Sequence, residues 1–288
     1  MTTLRAYAGR LKRAIRAKLR LRQLERKFHA DMKSGTRAPH GLGAPLIISL
    51  TSYPPRFPLL RYNLMSLLNQ AVPADRVILW IAEGDMARLP ANVRRLGQYG
   101  LEIRAVPDVR SFKKLVFGIR DIPDAWLVTA DDDIAYRRDW LETLVGGVDI
   151  ADPTIICRRA HRIKRAGDGF APYLEWDRNV SDAASMRPST DLLPVGIGGI
   201  LYPPGALHPQ VTEIESFMRL CPHADDLWFW WMGRRQGTRV VRVPEGDIHE
   251  EELPGTQSVA LTASNWAGGN DRQLAALVAE FGLADIGL

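Results

Sequence analysis

Asp131, Asp132 and Asp133 stand in a row at the end of the apolar stretch WLVTA, 126–130, and apolar residues resume at once with Ile134. Adjacent carboxylates repel one another, and a buried carboxylate is costly unless a cation compensates it. Hard oxygen donors of this kind suit Mg2+ or Mn2+, which take one or two carboxylates and complete their shells with substrate phosphates. If the chain stays extended, Asp131 and Asp133 point to one side and Asp132 to the other. The competing reading is a surface turn, where aspartate is common. A second acidic pair, Asp225-Asp226, opens the helical stretch DDLWFWWMGRRQG, 225–237, where N-capping is the plain explanation. No Walker-type phosphate loop occurs, and GIGG at 196–199 is too short for a dinucleotide fingerprint.

The elements around these residues alternate. PLIISL (45–50), RVILWIA (76–82), LEIRAV (101–106) and AWLVTA (125–130) read as strands. The first is an uninterrupted apolar run, as in a strand buried on both faces. Between them, 58–70 and 111–119 have helical spacing and 85–100 reads as a broken helix. This order predicts an α/β domain with a mostly parallel sheet flanked by helices. Such sheets bind ligands at the carboxyl ends of their strands, where the aspartate triplet falls. Beyond it, 137–145 reads as helix and 154–161 as strand. Residues 162–190 are polar and irregular. Strands are predicted within 196–207 and 238–243. A last helix, 268–282, is capped by Asn270 or Asp271 and stopped by Gly282.

The formal charge of +5 is unevenly spread. Residues 1–37 hold twelve Lys/Arg and two Asp/Glu, whereas the rest holds 26 and 31. A mildly acidic body argues against nucleic acid as partner. Leu4, Tyr7, Leu11, Ile15, Leu19, Leu24 and Phe28 recur at helical spacing, so 1–37 is a basic amphipathic helix with the start of a linker. Three fates stand for it: an anionic membrane surface, packing on its own body, or pairing as a coiled coil. The body is one domain, 45–288, with halves 45–133 and 134–288. No apolar run is long enough to span a bilayer and no signal sequence is evident. The distant Cys157 and Cys221 read as buried thiols. The expectation is a cytoplasmic protein, peripheral at the inner face of the cell membrane if the helix binds lipid.

The ordered series ISLTSYPPR, SLLNQ, VILW, FKKL, DDDI, GGILYPP, ADDLWF and GGND resembles GT-A-fold glycosyltransferases, in particular bacterial family-2-like members that build surface polysaccharide. The resemblance covers about 45–275. It implies a GT-A-like fold, a nucleotide-diphosphate-sugar donor (a UDP-sugar favoured), Mn2+ or Mg2+, and a saccharide or lipid-linked acceptor, with inversion during hexosyl transfer. By the same resemblance Asp131 and Asp133 hold the metal and diphosphate, and Asp132 reaches the donor ribose or sugar. Thr51, Ser52 and Tyr53 lie where relatives hold the base and ribose, although Pro54 and Pro55 also suit a rigid turn. Asp108 matches a base- or ribose-contacting position. Lys113, Lys114 and Arg56 are phosphate partners or solvated charges. Asp225 or Asp226, with Asp226 slightly favoured, supplies the general base, in place of the commoner Glu-Asp pair. His249 is a further metal ligand, and Gly198 and Gly199 let backbone approach the donor sugar. Asn265, Trp266, Asn270 and Asp271 are weaker candidates. Trp228, Phe229, Trp230 and Trp231 are mostly core, with a stacking platform for sugar as the alternative. Two other functions compete. A nucleotidyltransferase would carry a Gly-rich basic loop after the first strand, which LTSYPPR does not supply. A non-catalytic, membrane-associated carbohydrate-binding scaffold would not need two acidic clusters.

Overall fold

The computed structural model describes residues 2–34, 37–244, 251–253 and 268–288. Helices are α1 (Thr2–Ser34), α2 (Phe57–Leu68), α3 (Ala91–Arg94), α4 (Lys113–Asp121), α5 (Trp140–Val145), α6 (Ile214–Leu220), α7 (Asp225–Arg235) and α8 (Asn270–Phe281). The first five strands are β1 (Leu46–Thr51), β2 (Arg76–Ala82), β3 (Leu101–Val106), β4 (Trp126–Ala130) and β5 (Ile134–Ala135). There follow β6 (Ile155–Cys157), β7 (Ala160–Arg162), β8 (Arg165–Ala166), β9 (Gly169–Phe170), β10 (Leu192–Pro194), β11 (Ile200–Tyr202), β12 (Val240–Arg242) and β13 (Glu251–Glu252).

Seven strands form the central sheet in the order β12-β6-β11-β4-β1-β2-β3. β1 is parallel to both β2 and β4, and Ile48 pairs with Val77 on one side and Val128 on the other. β11 alone runs antiparallel to its neighbours β4 and β6. The expected mostly parallel α/β sheet with an N-terminal helix is therefore present, in a Rossmann-like arrangement. Both faces of β1 are covered, which explains its unbroken apolar run. Leu46, Ile48 and Leu50 pack with Leu60, Leu64 and Leu68 of α2. Ile47 belongs to the opposite core, with Leu115 and Phe117 of α4 and Trp228 and Trp231 of α7. The chain builds β1, β2 and β3 outward on one side, then crosses back to place β4 on the other side of β1. The carboxyl ends of β1 and β4 thus meet at a topological switch point, where such sheets open a crevice.

Several expectations are corrected. Residues 154–161 do not form one strand. β6 joins the main sheet, and β7 pairs with β10 instead. The polar stretch 162–190 holds the β8–β9 hairpin and two short 3-10 turns. The last helix has Gly269, not Asn270 or Asp271, at its N-cap, and Asp271 accepts the Tyr173 amide at 2.7 Å. Its C-cap is Gly282, as expected. Part of α1 packs on the body. Phe28 is buried and meets Tyr99 edge-on at 4.9 Å, and Asn69 donates to Asp31 at 2.8 Å. Cys157 and Cys221 are buried and unpaired. Among the described residues no helix is long and apolar enough to cross a membrane.

A buried polar strap fixes the segment after β4. Asn63 of α2 donates to the carbonyls of Asp131 and Ile134, both at 2.7 Å. The Asp131 amide donates to the Tyr136 hydroxyl at 2.8 Å, and the Tyr136 amide donates to Ser66 at 3.0 Å. Replacing Asn63 by Ala removes the donor from two carbonyls at once. Each carbonyl left without a donor costs about 1–3 kcal/mol. Asn63→Ala is therefore expected to lower unfolding stability by roughly 2–6 kcal/mol, read as a lower urea midpoint with unchanged slope.

Candidate active site

Four segments converge on the crevice: the exit of β1, the aspartates after β4, the start of α4 and the start of α7. The chain bends at Asp132 and Asp133 rather than staying extended, so strict alternation fails. Asp132 and Asp133 both find partners in the loop after β1. Ser52 donates to Asp132 at 2.5 Å, and Arg56 donates to Asp133 at the same distance. Asp131 instead faces α4, with its Oδ1 4.0 Å from the Lys114 ammonium.

Lys114 joins two acidic clusters. Its Nζ lies 2.8 Å from Asp225 Oδ2 on α7 as well as near Asp131. Both lysines at the head of α4 are buried, which removes the reading of solvated helix charge. Burial opposes the Lys114 charge, but Asp225, Asp226 and Asp131 together outweigh it and hold the ammonium protonated well above its ordinary range. Lys113 pairs with Asp108, whose carboxyl falls below its usual value through that bond. The placement of α4 is itself fixed: the Trp80 indole donates to Ser49 at 2.8 Å, and Ser49 donates to the Lys114 carbonyl at 2.6 Å.

Asp225 and Asp226 occupy the first two helical positions of α7, and Ala224 sits at the N-cap. Plain N-capping therefore does not explain them. Asp226 accepts the Gly196 amide at 3.0 Å through Oδ2, while its Oδ1 is buried with no hydrogen-bond partner among the described residues. Burial, with the Asp225 charge adding and Lys114 opposing, raises the Asp226 carboxyl to about 7. A buried carboxylate oxygen left without a donor calls for an explanation, and a substrate hydroxyl would supply one.

Gly196 was not singled out by sequence reasoning, yet it borders both groups. A Cβ there would lie 3.1 Å from Lys114 Nζ and 3.2 Å from Asp226 Oδ1. Gly198 and Gly199, which were singled out, answer to Trp140. The Trp140 indole donates to the Gly198 carbonyl at 2.6 Å, and a Cβ on Gly199, at φ +92°, would meet that ring at 2.6 Å. Tyr202 was also missed. Its hydroxyl is buried without a partner among the described residues, and the Asp226 charge is among the causes holding its proton on, after burial itself. Thr51 Oγ1 donates to the Trp80 carbonyl at 2.8 Å, so it ties the carboxyl end of β1 to β2. Trp228, Phe229, Trp230 and Trp231 are all fully buried, which leaves them in the core and excludes a sugar platform as they stand. His249, Asn265 and Trp266 lie outside the described residues. Glu251–Glu252 pair with β5, and the Leu253 amide donates to the Asp133 carbonyl at 2.8 Å.

The donor set suits a hard divalent cation. Asp131, Asp132, Asp133, Asp225 and Asp226 face two cations, Lys114 and Arg56. Burial raises the Asp131 carboxyl and pushes Asp132 to about 7 against the Ser52 bond. Burial is the chief cause of both shifts, and the neighbouring carboxylates add to it. Among the described residues no three His, Cys, Asp or Glu side chains are grouped so as to hold a metal ion by themselves. A cation here would take one or two carboxylates and complete its shell from substrate and water, as Mg2+ does. A separate cavity of about 670 Å3 lies between α1, α2 and residues 135–139, lined in part by Phe28, Met65, Tyr136 and Arg138. None of the five carboxylates lines it.

No family model matches the chain, and no curated protein matches it. Among solved structures, CMP:2-keto-3-deoxy-manno-octonic acid synthetase complexed with CTP aligns over 79% of this chain and 98% of its own, at 15% identity and a TM-score of 0.42. A likeness of this grade says nothing of the reaction.

If Lys114 is what keeps the two clusters together, Lys114→Met leaves Asp131, Asp225 and Asp226 without their shared cation. Removing one member of a buried pair costs about 3–5 kcal/mol. The remaining carboxyls are then raised further, so the folded state binds protons that the unfolded state has released. Stability then falls as pH rises above the ordinary carboxylate range. Thermal unfolding is expected to show a larger loss at pH 8 than at pH 5, and an equal loss at both would refute the electrostatic role.

Proposed function

We propose that the crevice holds a nucleotide-diphosphate-sugar together with Mg2+ or Mn2+ and transfers the sugar, with inversion, to a saccharide or lipid-linked acceptor, as a GT-A-like glycosyltransferase. The observation that carries this reading is the meeting, across Lys114, of two acidic clusters with different surroundings. One is engaged by Ser52 and Arg56 at the switch point. The other presents a near-neutral carboxyl with an oxygen that lacks a donor.

Asp131 and Asp133 would hold the cation, which when bound neutralises charge developing on the departing diphosphate. Ser52 holds Asp132 in place for the ribose or sugar, and Tyr53 borders the base. Lys114 and Arg56 provide fixed positive charge beside the diphosphate. Asp226 accepts the proton of the acceptor hydroxyl. The acceptor oxygen bonds to the anomeric carbon as the bond from that carbon to the diphosphate oxygen breaks, and a nucleoside diphosphate leaves. Asp225, already paired with Lys114, is the poorer base. Its role is to position that ammonium.

Nucleotidyl transfer is the second reading. It would use the same cation and crevice to join a nucleoside triphosphate to a sugar and release pyrophosphate. Against it stands the loop after β1, a Pro54–Arg56 3-10 turn with no glycine. A non-catalytic scaffold would form neither product.

Incubation with Mn2+, a panel of nucleotide sugars and saccharide acceptors is expected to release nucleoside diphosphate and lengthen the acceptor by one sugar. Pyrophosphate release from a nucleoside triphosphate and a free sugar would replace this reading with the second. In the same assay Asp226→Asn is expected to lower turnover by about 10²–10⁴-fold while donor binding persists. Wild-type kcat/KM should fall as pH drops through about 7, because the base is then protonated. The stability sign is opposite. A raised carboxyl costs stability above its folded value and none below its ordinary value, so Asp226→Asn should raise Tm at pH 8.

A further inference from the structure

Where described side chains of α1 dock, they dock on the body and not on the crevice. The 33-residue helix is about 50 Å long at 1.5 Å per residue. Among its described side chains, the contacts that dock it lie near its end: buried Phe28, Glu25 with Arg61, and Asp31 with Asn69 and Arg138. At about 100° per residue, Leu24, Phe28 and Met32 share the docked face, and Ile15 and Leu19 fall on nearly the opposite one. Ile15 is 50% and Leu19 58% exposed. In the sequence, Leu4 and Leu11 share the helical register of Ile15 and Leu19, and Arg22 and Arg26 continue it with exposed cations. The helix therefore carries two apolar stripes, one spent on the body and a second whose described members, Ile15 and Leu19, face solvent.

Charge identifies what covers the second stripe. Residues 2–24 contain eight Lys/Arg and no Asp or Glu. The two acids of the helix, Glu25 and Asp31, lie beyond that segment and are already engaged by the body. A second copy seated on this stripe would bring eight cations against eight. A nucleic acid would leave Ile15 and Leu19 wet. An anionic bilayer satisfies both features, since apolar side chains sit at the headgroup–acyl boundary while neighbouring Lys and Arg meet the headgroups.

We propose that residues 2–26 of α1 lie on an anionic lipid surface, with Ile15 and Leu19 inserted and Arg16, Lys18, Arg22 and Arg26 on lipid headgroups. This stands independently of the chemistry assigned to the crevice. The test is sedimentation of the full chain with vesicles of phosphatidylcholine alone or with phosphatidylglycerol added. Binding is expected only with the anionic lipid, weakening as salt rises. The double variant Ile15→Asp/Leu19→Asp should lose about tenfold or more of that binding, with its Tm unchanged because both side chains are exposed. Arg16→Gln/Lys18→Gln should weaken binding in the same direction. No sedimentation with anionic vesicles, or equal binding by the aspartate double variant, would overturn the proposal. So would a concentration-dependent dimer that this variant abolishes.

Discussion

One ammonium keeps the crevice from coming apart. Lys114 sits between Asp131 at the end of β4 and Asp225 at the start of α7. Like charges from two separate elements would otherwise face each other across a poorly solvated gap. The position of that ammonium is set by the sheet. Trp80 on β2 donates to Ser49 on β1, and Ser49 donates to the Lys114 carbonyl. A polar residue inside an apolar strand thus has a definite purpose: it locks the first turn of α4 against β1, and so fixes where the charge goes.

The same arrangement makes this cluster of charges costly to keep. Asp132 and Asp226 are both raised to about 7, chiefly by burial. Groups in that state oppose folding at neutral pH when ionised. The surrounding structure resists their spreading. Asn63 and Tyr136 hold the backbone on either side of the triplet, and Gly196 holds one oxygen of Asp226. Preorganised charge of this kind is what transfer of a phosphate-activated group requires, since it need not rearrange as charge develops. It is also why repair of the electrostatics, by ligand or by neutral substitution, should stabilise the fold.

Much of this was legible in the sequence. The alternation of apolar strands with helical segments is a local pattern, so the sheet, the placement of the triplet at a strand end and the acidic pair at a helix start followed from it. What failed was what depends on the third dimension. The bend at Asp132 redirected two carboxylates to Ser52 and Arg56, because hydrogen bonds from another loop outweighed the extended geometry. Asn63, Gly196 and Tyr202 carry no local signature. Their roles come from contacts across long stretches of chain. GIGG drew attention to Gly198 and Gly199, whose requirement is space and φ against Trp140, while the glycine two residues earlier borders the chemistry. The tryptophans of α7 were legible as core because four consecutive aromatics on a helix cannot all face a ligand.

The central claim is that this crevice binds a divalent cation and a nucleoside diphosphate together. Electron paramagnetic resonance of Mn2+ tests it without knowledge of the sugar or acceptor, since protein-bound Mn2+ loses the sharp signal of the free ion. With UDP present, wild-type protein should bind one Mn2+ per chain, and Asp131→Asn should weaken that binding by about tenfold or more, a difference of roughly 1.4 kcal/mol. A free-ion signal undiminished by protein and UDP, or binding unchanged by Asp131→Asn, would contradict it.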